Sequence, residues 1–250
     1  MVGGPPRISG LPQTVRSLAV SEGAVRAVFL NGSYVTASAT QDSDVDLTVL
    51  VTDEPAVQAV LDLLGERFTF QGCFHEVPHY RDRGRLIAVC VYPQGWTDDW
   101  VANAFRSADD LRQWQAWLQH KVIDAVALHD PGAILPRYQK QLSHYPDDLA
   151  IQIAAEALDY LQAEYLDSQP FRNVFHYAYC LRDILEHIGL ALYALNRRFF
   201  APPLKQRHRE LPMLRPRIQN QLLRMVALSP DEPLHARRAP LRRIVAMLRR

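Results

Sequence analysis

The stretch that most constrains this chain runs from Leu30 to Val51, LNGSYVTASATQDSDVDLTVLV. An apolar run, Val25 to Leu30, ends in Asn31-Gly32-Ser33. Ten mostly small or polar residues follow, Tyr34 to Ser43, and then Asp44 and Asp46 open a second apolar run. Side chains of a strand alternate between its faces, so Asp44 and Asp46 are expected on one side, about 6 to 7 Å apart along the chain. Val45, Leu47, Val49 and Val51 then take the opposite side and enter a core. Two carboxylates on one exposed face repel and raise each other's pKa unless a cation sits between them. Hard oxygen ligands at that separation suit Mg2+, which takes one or two carboxylates together with substrate phosphates. Upstream, Gly32 lets the backbone come close to a ligand, Ser33 adds a hydroxyl, and N–H groups in such a turn attract phosphate. Tyr34 to Thr40 is expected to form a short helix after the turn.

Gly32-Ser33, a ten-residue spacer and Asp44-Val45-Asp46 at the head of a strand resemble the GS…DxD signature of the polymerase-β-like nucleotidyltransferase superfamily. The chain is similar in length and organisation to the antibiotic-modifying branch, the kanamycin- and lincosamide-type enzymes. The motif covers little more than twenty residues, and the rest of the likeness is architectural. It implies an α+β protein with a small mixed β-sheet nucleotidyltransferase domain, residues 1–135, followed by an α-helical bundle domain, residues 136–250.

Composition fits this frame. At 250 residues, with 48% hydrophobic and 22% charged residues, the chain can bury a sizeable core. A formal net charge of +1 supplies no field to recruit a long nucleic acid, so a nucleotide and a small acceptor are the more natural partners. Cys73, Cys90 and Cys180 lie far apart in no metal-ligand spacing and read as reduced thiols. The N-terminal MVGGPPRISG lacks the apolar core of a signal peptide, and no run approaches the roughly 20 apolar residues that span a bilayer. A cytoplasmic monomer or homodimer is expected.

In chain order, helices are expected over Leu11 to Glu22 and Pro55 to Arg67, then a strand over Phe68 to Tyr80, a turn at Arg81 to Gly84 and a strand over Arg85 to Tyr92. Asp98 to Ser107 and Ala108 to Gln119 read as helices whose Trp100, Phe105, Leu111, Trp114 and Trp117 join a core. Val122 to Leu128 reads as a last strand and Pro136 to Pro146 as a linker. Asp147 to Leu166, Phe171 to Phe200 and the basic tail from Pro212 read as the helical bundle.

Nucleotidyl transfer needs metal to neutralise the triphosphate and a group that takes the proton of the attacking hydroxyl. Asp44 and Asp46 answer the first need. The resemblance implies a third carboxylate on the strand Arg85 to Tyr92, but its matching position holds Ala88; Glu76 is the substitute ligand, and a weak second metal site or lost catalysis are the alternatives. The resemblance also implies a base on a bundle helix, matched best by Asp159 and next by Glu156, three residues apart on one face. Asn196 and Lys205, in a stretch similar to ALN…P…K of related chains, are candidates to meet the triphosphate. His75, Glu76, Glu156 and Asp159 together would make an acidic cleft suited to a cationic acceptor.

The expected function is therefore Mg2+-dependent transfer of NMP, from ATP in the first instance, to a hydroxyl of a small molecule such as an aminoglycoside-like antibiotic. The alternative is a catalytically weak nucleotide-binding protein, or an RNase or antitoxin-like protein of the HEPN type. It rests on Arg182 and His187, an R-x4-H spacing that resembles the HEPN nuclease motif. A separation of five on an ideal helix turns those side chains about 140° apart, which weakens a joint site.

Overall fold

β-Branched and aliphatic residues at alternating positions build the centre of a six-stranded mixed sheet, ordered β3-β4-β5-β2-β1-β6. The computed structural model describes residues 23–36, 39–40, 43–74, 77–82, 84–168, 171, 173–200, 216–227, 236 and 238–249. The expected helix over Leu11 to Glu22 lies outside them. The strands are β1 (Val25–Asn31), β2 (Val45–Val51), β3 (Thr69–Phe74), β4 (Val77–Asp82), β5 (Arg85–Pro93) and β6 (Val126–His129). β1 and β2 pair antiparallel, and β2 and β5 pair parallel. Helix α1 (Glu54–Arg67) and the β3–β4 hairpin form the crossover between that parallel pair.

Period-two alternation divides the side chains of the central strands into two sets. Val28, Leu30, Val45, Leu47, Val49, Val51, Ile87 and Val89 form one core with Ala56, Val60 and Leu64 of α1. The 4-4-residue spacing of those three puts them on one helical stripe. Asp53 caps α1, its side chain accepting from the Ala56 N–H at 3.0 Å, with Pro55 in the first turn, where a missing N–H costs nothing. The other set, Asn31, Asp46, Thr48, Ala88, Cys90 and Tyr92, follows from the same register and carries the polar groups. At the end of this face away from the acids, Tyr92 meets Trp100 of α2 (Gln94–Asn103) and Trp117 of α3 (Ala108–Leu118), each at 5.5 Å between ring centres. Trp100 and Trp114 stack at 4.8 Å. The tryptophans thus pack on one another and on the sheet, as their helical spacing implies.

Four local expectations change. The turn after β1 is a single 3-10 turn, Gly32–Tyr34, in place of a helix over Tyr34 to Thr40. Phe68 to Tyr80 is two strands, β3 and β4, and His75 and Glu76 between them lie outside the described residues. β6 starts at Val126 because the preceding segment forms a π-helical turn, Gln119–Ile123, and Gln139 Nε2 donates to the carbonyls of Val122, Ile123 and Ala125. Pro136 to Pro146 is no linker: Ile134–Leu142 is helix α4, burying Ile134, Leu135, Tyr138 and Leu142. Asp130 starts it by accepting from the N–H groups of Ile134 (2.8 Å) and Leu135 (2.9 Å). Asp130→Ala should therefore lower unfolding free energy by about 0.5–2 kcal/mol, read as a lower denaturant midpoint at unchanged slope.

The chain divides into two compact units, Met1–Arg106 with Gln113–His144, and Ser107–Arg112 with Tyr145–Arg250. Helix α4 belongs to the first of these units. In the second, α5 (Asp147–Leu161) packs on α6 (Val174–Leu195), α5 presenting Ile153, Ala154, Ala157, Leu158 and Leu161 and α6 burying Tyr177, Ile184, Ile188 and Ala191. α7 (Pro216–Val226) joins them where Tyr177 donates to the Met225 carbonyl at 2.6 Å, and α8 (Arg238–Leu248) buries Leu241, Ile244 and Val245. Among the described residues, no helix is long and apolar enough to cross a membrane.

Candidate active site

The site is built in the first unit by the register of one antiparallel pair. Asn31 lies opposite Asp46, so the turn that follows β1 closes directly over the head of β2. Gly32 turns there with φ +68°, and a Cβ added to it would stand 2.0 Å from Asp46 Oδ2. Only a glycine allows the backbone to lie this close to the carboxylate. The turn is tied down by N–H groups of Val35 and Thr36, both donating to the Gly32 carbonyl at 3.2 Å. Beside it, the Ser33 hydroxyl is buried and, among the described residues, has no hydrogen-bond partner. A buried, unsatisfied hydroxyl costs free energy that a bound acceptor would recover.

Burial pushes the Asp46 carboxyl up from its ordinary range; nearby Lys121 opposes the shift, Asp44 adds to it, and His79 opposes it. The site thus holds two acids that favour a cation, with Asp46 already taken partly out of water. The Lys121 turn is held in place by a buried polar chain. Thr48 Oγ1 donates to Asn31 Oδ1 at 2.7 Å, and Asn31 Nδ2 donates to the His120 carbonyl at 3.0 Å. Asn31 and Thr48 are both 1% exposed, so each polar atom is satisfied by the next rather than by water.

One row of the sheet runs Asn31, Asp46, Ala88, His79 across β1, β2, β5 and β4. Ala88 does occupy the inward position on β5, so that strand brings no third acid. On the next strand the same row holds His79. Its Nδ1 lies 2.8 Å from the Val77 carbonyl and its Nε2 3.8 Å from Asp44 Oδ2. Neither His79 nor Lys121 stands out in the sequence: each reaches the acids only through a strand order and a loop packing that local pattern does not encode. The one legible hint is that His79 shares the period-two face of Val77 and Arg81 in a short strand.

Glu76, His75 and Lys205 fall outside the described residues. Glu156 and Asp159 share α5 in the second unit. Glu156 is paired with Arg112 and accepts from Gln152 at 2.8 Å, and the Arg112 contact holds its carboxyl below the usual range. Asp159 accepts from Arg249 at 2.6 Å. Asn196 ends α6 by donating to the Leu192 carbonyl at 2.7 Å, a local cap. Arg182 is exposed and pairs with Glu186 at 3.2 Å, while His187 stacks on Tyr160 at 4.1 Å and bonds the Asp183 carbonyl at 2.9 Å. Arg182 and His187 are thus each engaged with a different neighbour.

Among the described residues, no group of three or more His, Cys, Asp and Glu side chains is placed to hold a metal ion. The donor set nonetheless fits a divalent cation that arrives with phosphates: two carboxylates, a turn too close to one of them for any Cβ, and an orphaned hydroxyl beside it.

Residues 13–69 match the family described as Polymerase beta, Nucleotidyltransferase. A nucleotidyltransferase-like protein from Exiguobacterium sibiricum 255-15 is similar in structure at 16% identity, with a TM-score of 0.45 over 96% of this chain and 74% of that one. Cid1 in complex with the UTP analogue UMPNPP is similar at 15% identity and a TM-score of 0.26, over 78% of this chain and 49% of that one. No curated protein matches the chain.

Proposed function

We infer that the chain, whose residues 13–69 match the family described as Polymerase beta, Nucleotidyltransferase, transfers a nucleoside monophosphate from a nucleoside triphosphate to a hydroxyl of a small acceptor. The observation that carries the reading is the contact of Gly32 with Asp46, which joins the phosphate-binding turn to the acid pair in one place. Asp44 and Asp46 are the residues that would hold the divalent cation, Mg2+ being the ion that two carboxylates and phosphate oxygens match. Bound there, such a cation neutralises triphosphate charge and steadies the pyrophosphate leaving group.

The chain's own groups do the rest. The Ser33 hydroxyl donates to a phosphate oxygen, which ends its unsatisfied state. Lys121, held by the Asn31–His120 bond, adds positive charge beside Asp46. The acceptor oxygen forms a bond to the α-phosphorus as the bridging oxygen to the β-phosphorus leaves, so pyrophosphate departs and the hydroxyl proton passes to a base. Asp159 and next Glu156 are the acids proposed for that proton, and each is paired with an arginine, Arg249 and Arg112 respectively. ATP is the proposed donor and an aminoglycoside-like antibiotic the proposed acceptor, a polycation suited to an acidic site.

Incubation with labelled ATP or GTP, Mg2+ and a panel of hydroxylated acceptors tests this directly. Label should move to an acceptor with the wild type and not with Asp46→Ala. RNA cleavage lost in His187→Ala, with no label transfer in any condition, would establish the HEPN-type alternative instead.

A further inference from the structure

Helices α7 and α8 carry five arginines, Arg217, Arg224, Arg238, Arg242 and Arg243, and no acidic residue, in a chain whose formal net charge is only +1. Both helices lie in the second unit and pack on each other. Each turns an apolar stripe inward, Ile218 and Met225 on α7 and Leu241, Ile244 and Val245 on α8. The residues that flank those stripes line a cleft of about 380 Å³: Arg217, Asn220 and Gln221 from α7, and Arg243, Ala246 and Met247 from α8. The spacing i, i+3, i+4 is the same on both helices, so each sets an arginine beside two uncharged residues one turn on. Neither of these arginines has an ion pair among the described residues, and Gln221 Oε1 is buried there with no hydrogen-bond partner.

Two arginines with no acid beside them attract an anion, and the guanidinium fork matches the oxygen geometry of a phosphate. Charge decides which phosphate. A phosphomonoester carries about −1.5 to −2 at pH 7 and answers two guanidiniums, whereas each phosphodiester of a nucleic acid carries about −1. The volume lies at the lower end of small-molecule sites, roughly 300–1,000 Å³, which suits one mononucleotide. Gln221 selects the base. Its buried oxygen needs a donor, and a half-turn of the amide presents that oxygen to the cleft. An amide, with donor beside acceptor, pairs with N7 and the N6 amino group of adenine; the same edge of guanine offers two acceptors. Ala246 and Met247 add apolar surface against which the ring can lie.

We propose that the α7–α8 cleft is a second nucleotide site, one that binds an adenine nucleoside monophosphate, with Arg217 and Arg243 holding the phosphate and Gln221 reading the base. The site is built from residues of the second unit alone and uses neither Asp44 nor Asp46. Its phosphate ligands are guanidiniums, so binding there needs no divalent cation. The assignment therefore stands or falls separately from the transfer reaction proposed for the first unit.

Titration calorimetry of the full chain in EDTA, which strips divalent cations, decides the matter with AMP, GMP, adenosine and inorganic phosphate as probes. AMP should bind one site per chain and more tightly than GMP, and adenosine should bind more weakly than AMP by about 10-fold or more. Arg217→Gln and Arg243→Gln should each weaken AMP by about 10- to 100-fold. Both arginines are exposed, so these variants should keep the wild-type melting temperature. Gln221→Leu should retain phosphate binding and lose the preference for AMP over GMP. No AMP binding in EDTA, or AMP binding that both arginine variants keep, overturns the proposal. Binding of a single-stranded oligonucleotide in place of AMP, weakened by the same variants, overturns it in favour of a nucleic-acid surface. Asp44→Asn/Asp46→Asn separates the two sites. It should bind AMP in EDTA as the wild type does; if it alone loses AMP, the nucleotide sits at the acid pair and only the cleft assignment fails. Absence of label transfer with arginine-dependent AMP binding intact sinks the transferase reading and leaves the cleft.

Discussion

Asp46→Asn should reduce nucleotidyl transfer by about 10²–10³-fold, the loss seen when a preorganised charge is removed from a reacting site. The substitution keeps the shape of the side chain against Gly32 and removes only the charge. Stability should move the other way. Burial raises the carboxyl pKa in the folded protein, so the folded state binds that proton more tightly than the unfolded state does. The ionised carboxylate therefore opposes folding at neutral pH, and its contribution relaxes as pH falls through the raised value. Asn carries no such burden, so the melting temperature of Asp46→Asn should equal or exceed that of the wild type at pH 7, and its advantage should shrink in acid. Activity lost with stability kept is the signature of a functional charge. A melting temperature well below the wild type would instead assign Asp46 to the framework.

Gly32→Ala should damage both properties. The backbone there has φ +68°, which costs a residue with a Cβ about 1–3 kcal/mol, and that Cβ would overlap Asp46 Oδ2 at 2.0 Å. The turn or the carboxylate must move by more than an ångström, and such a displacement at a reacting centre costs about 10²-fold in rate. Gly84→Ala is the control. Gly84 has φ +84° at the β4–β5 turn, with nothing within 4 Å of the position a Cβ would take. It should lose stability through strain alone and keep the wild-type kcat/KM. Equal activity losses in the two variants would mean that the Gly32 effect is strain and not proximity to Asp46.

The sequence makes the sheet and its acid pair legible because alternation and turn chemistry are local. Val45, Leu47, Val49 and Val51 announce their buried face, and Asp44 and Asp46 then have only one side to occupy. Asp53 and Pro55 mark the start of α1 in the same way. Helix α4 is hidden because Pro136 suggests a break, yet as the third residue of Ile134–Leu142 it sits where a proline removes no helical hydrogen bond. His79 and Lys121 are hidden for a different reason. Their places beside the acids depend on β4 lying next to β5, and on the Asn31–His120 bond across 89 residues, neither of which leaves a periodic trace. Glu156 and Asp159 show the limit of reading function from spacing: a shared helix face is legible, but the arginines that hold them, Arg112 and Arg249, are not.

Crystals of the full chain grown with Mn2+ and a nucleotide whose α–β bridge is a methylene group give the most direct measurement, the anomalous signal of the metal. The peak should lie within about 2.1–2.3 Å of carboxylate oxygens of both Asp44 and Asp46, with a phosphate oxygen in hydrogen-bond reach of the Ser33 hydroxyl. A peak away from those two carboxylates, or a triphosphate that avoids the Gly32–Ser33 turn, would contradict the account.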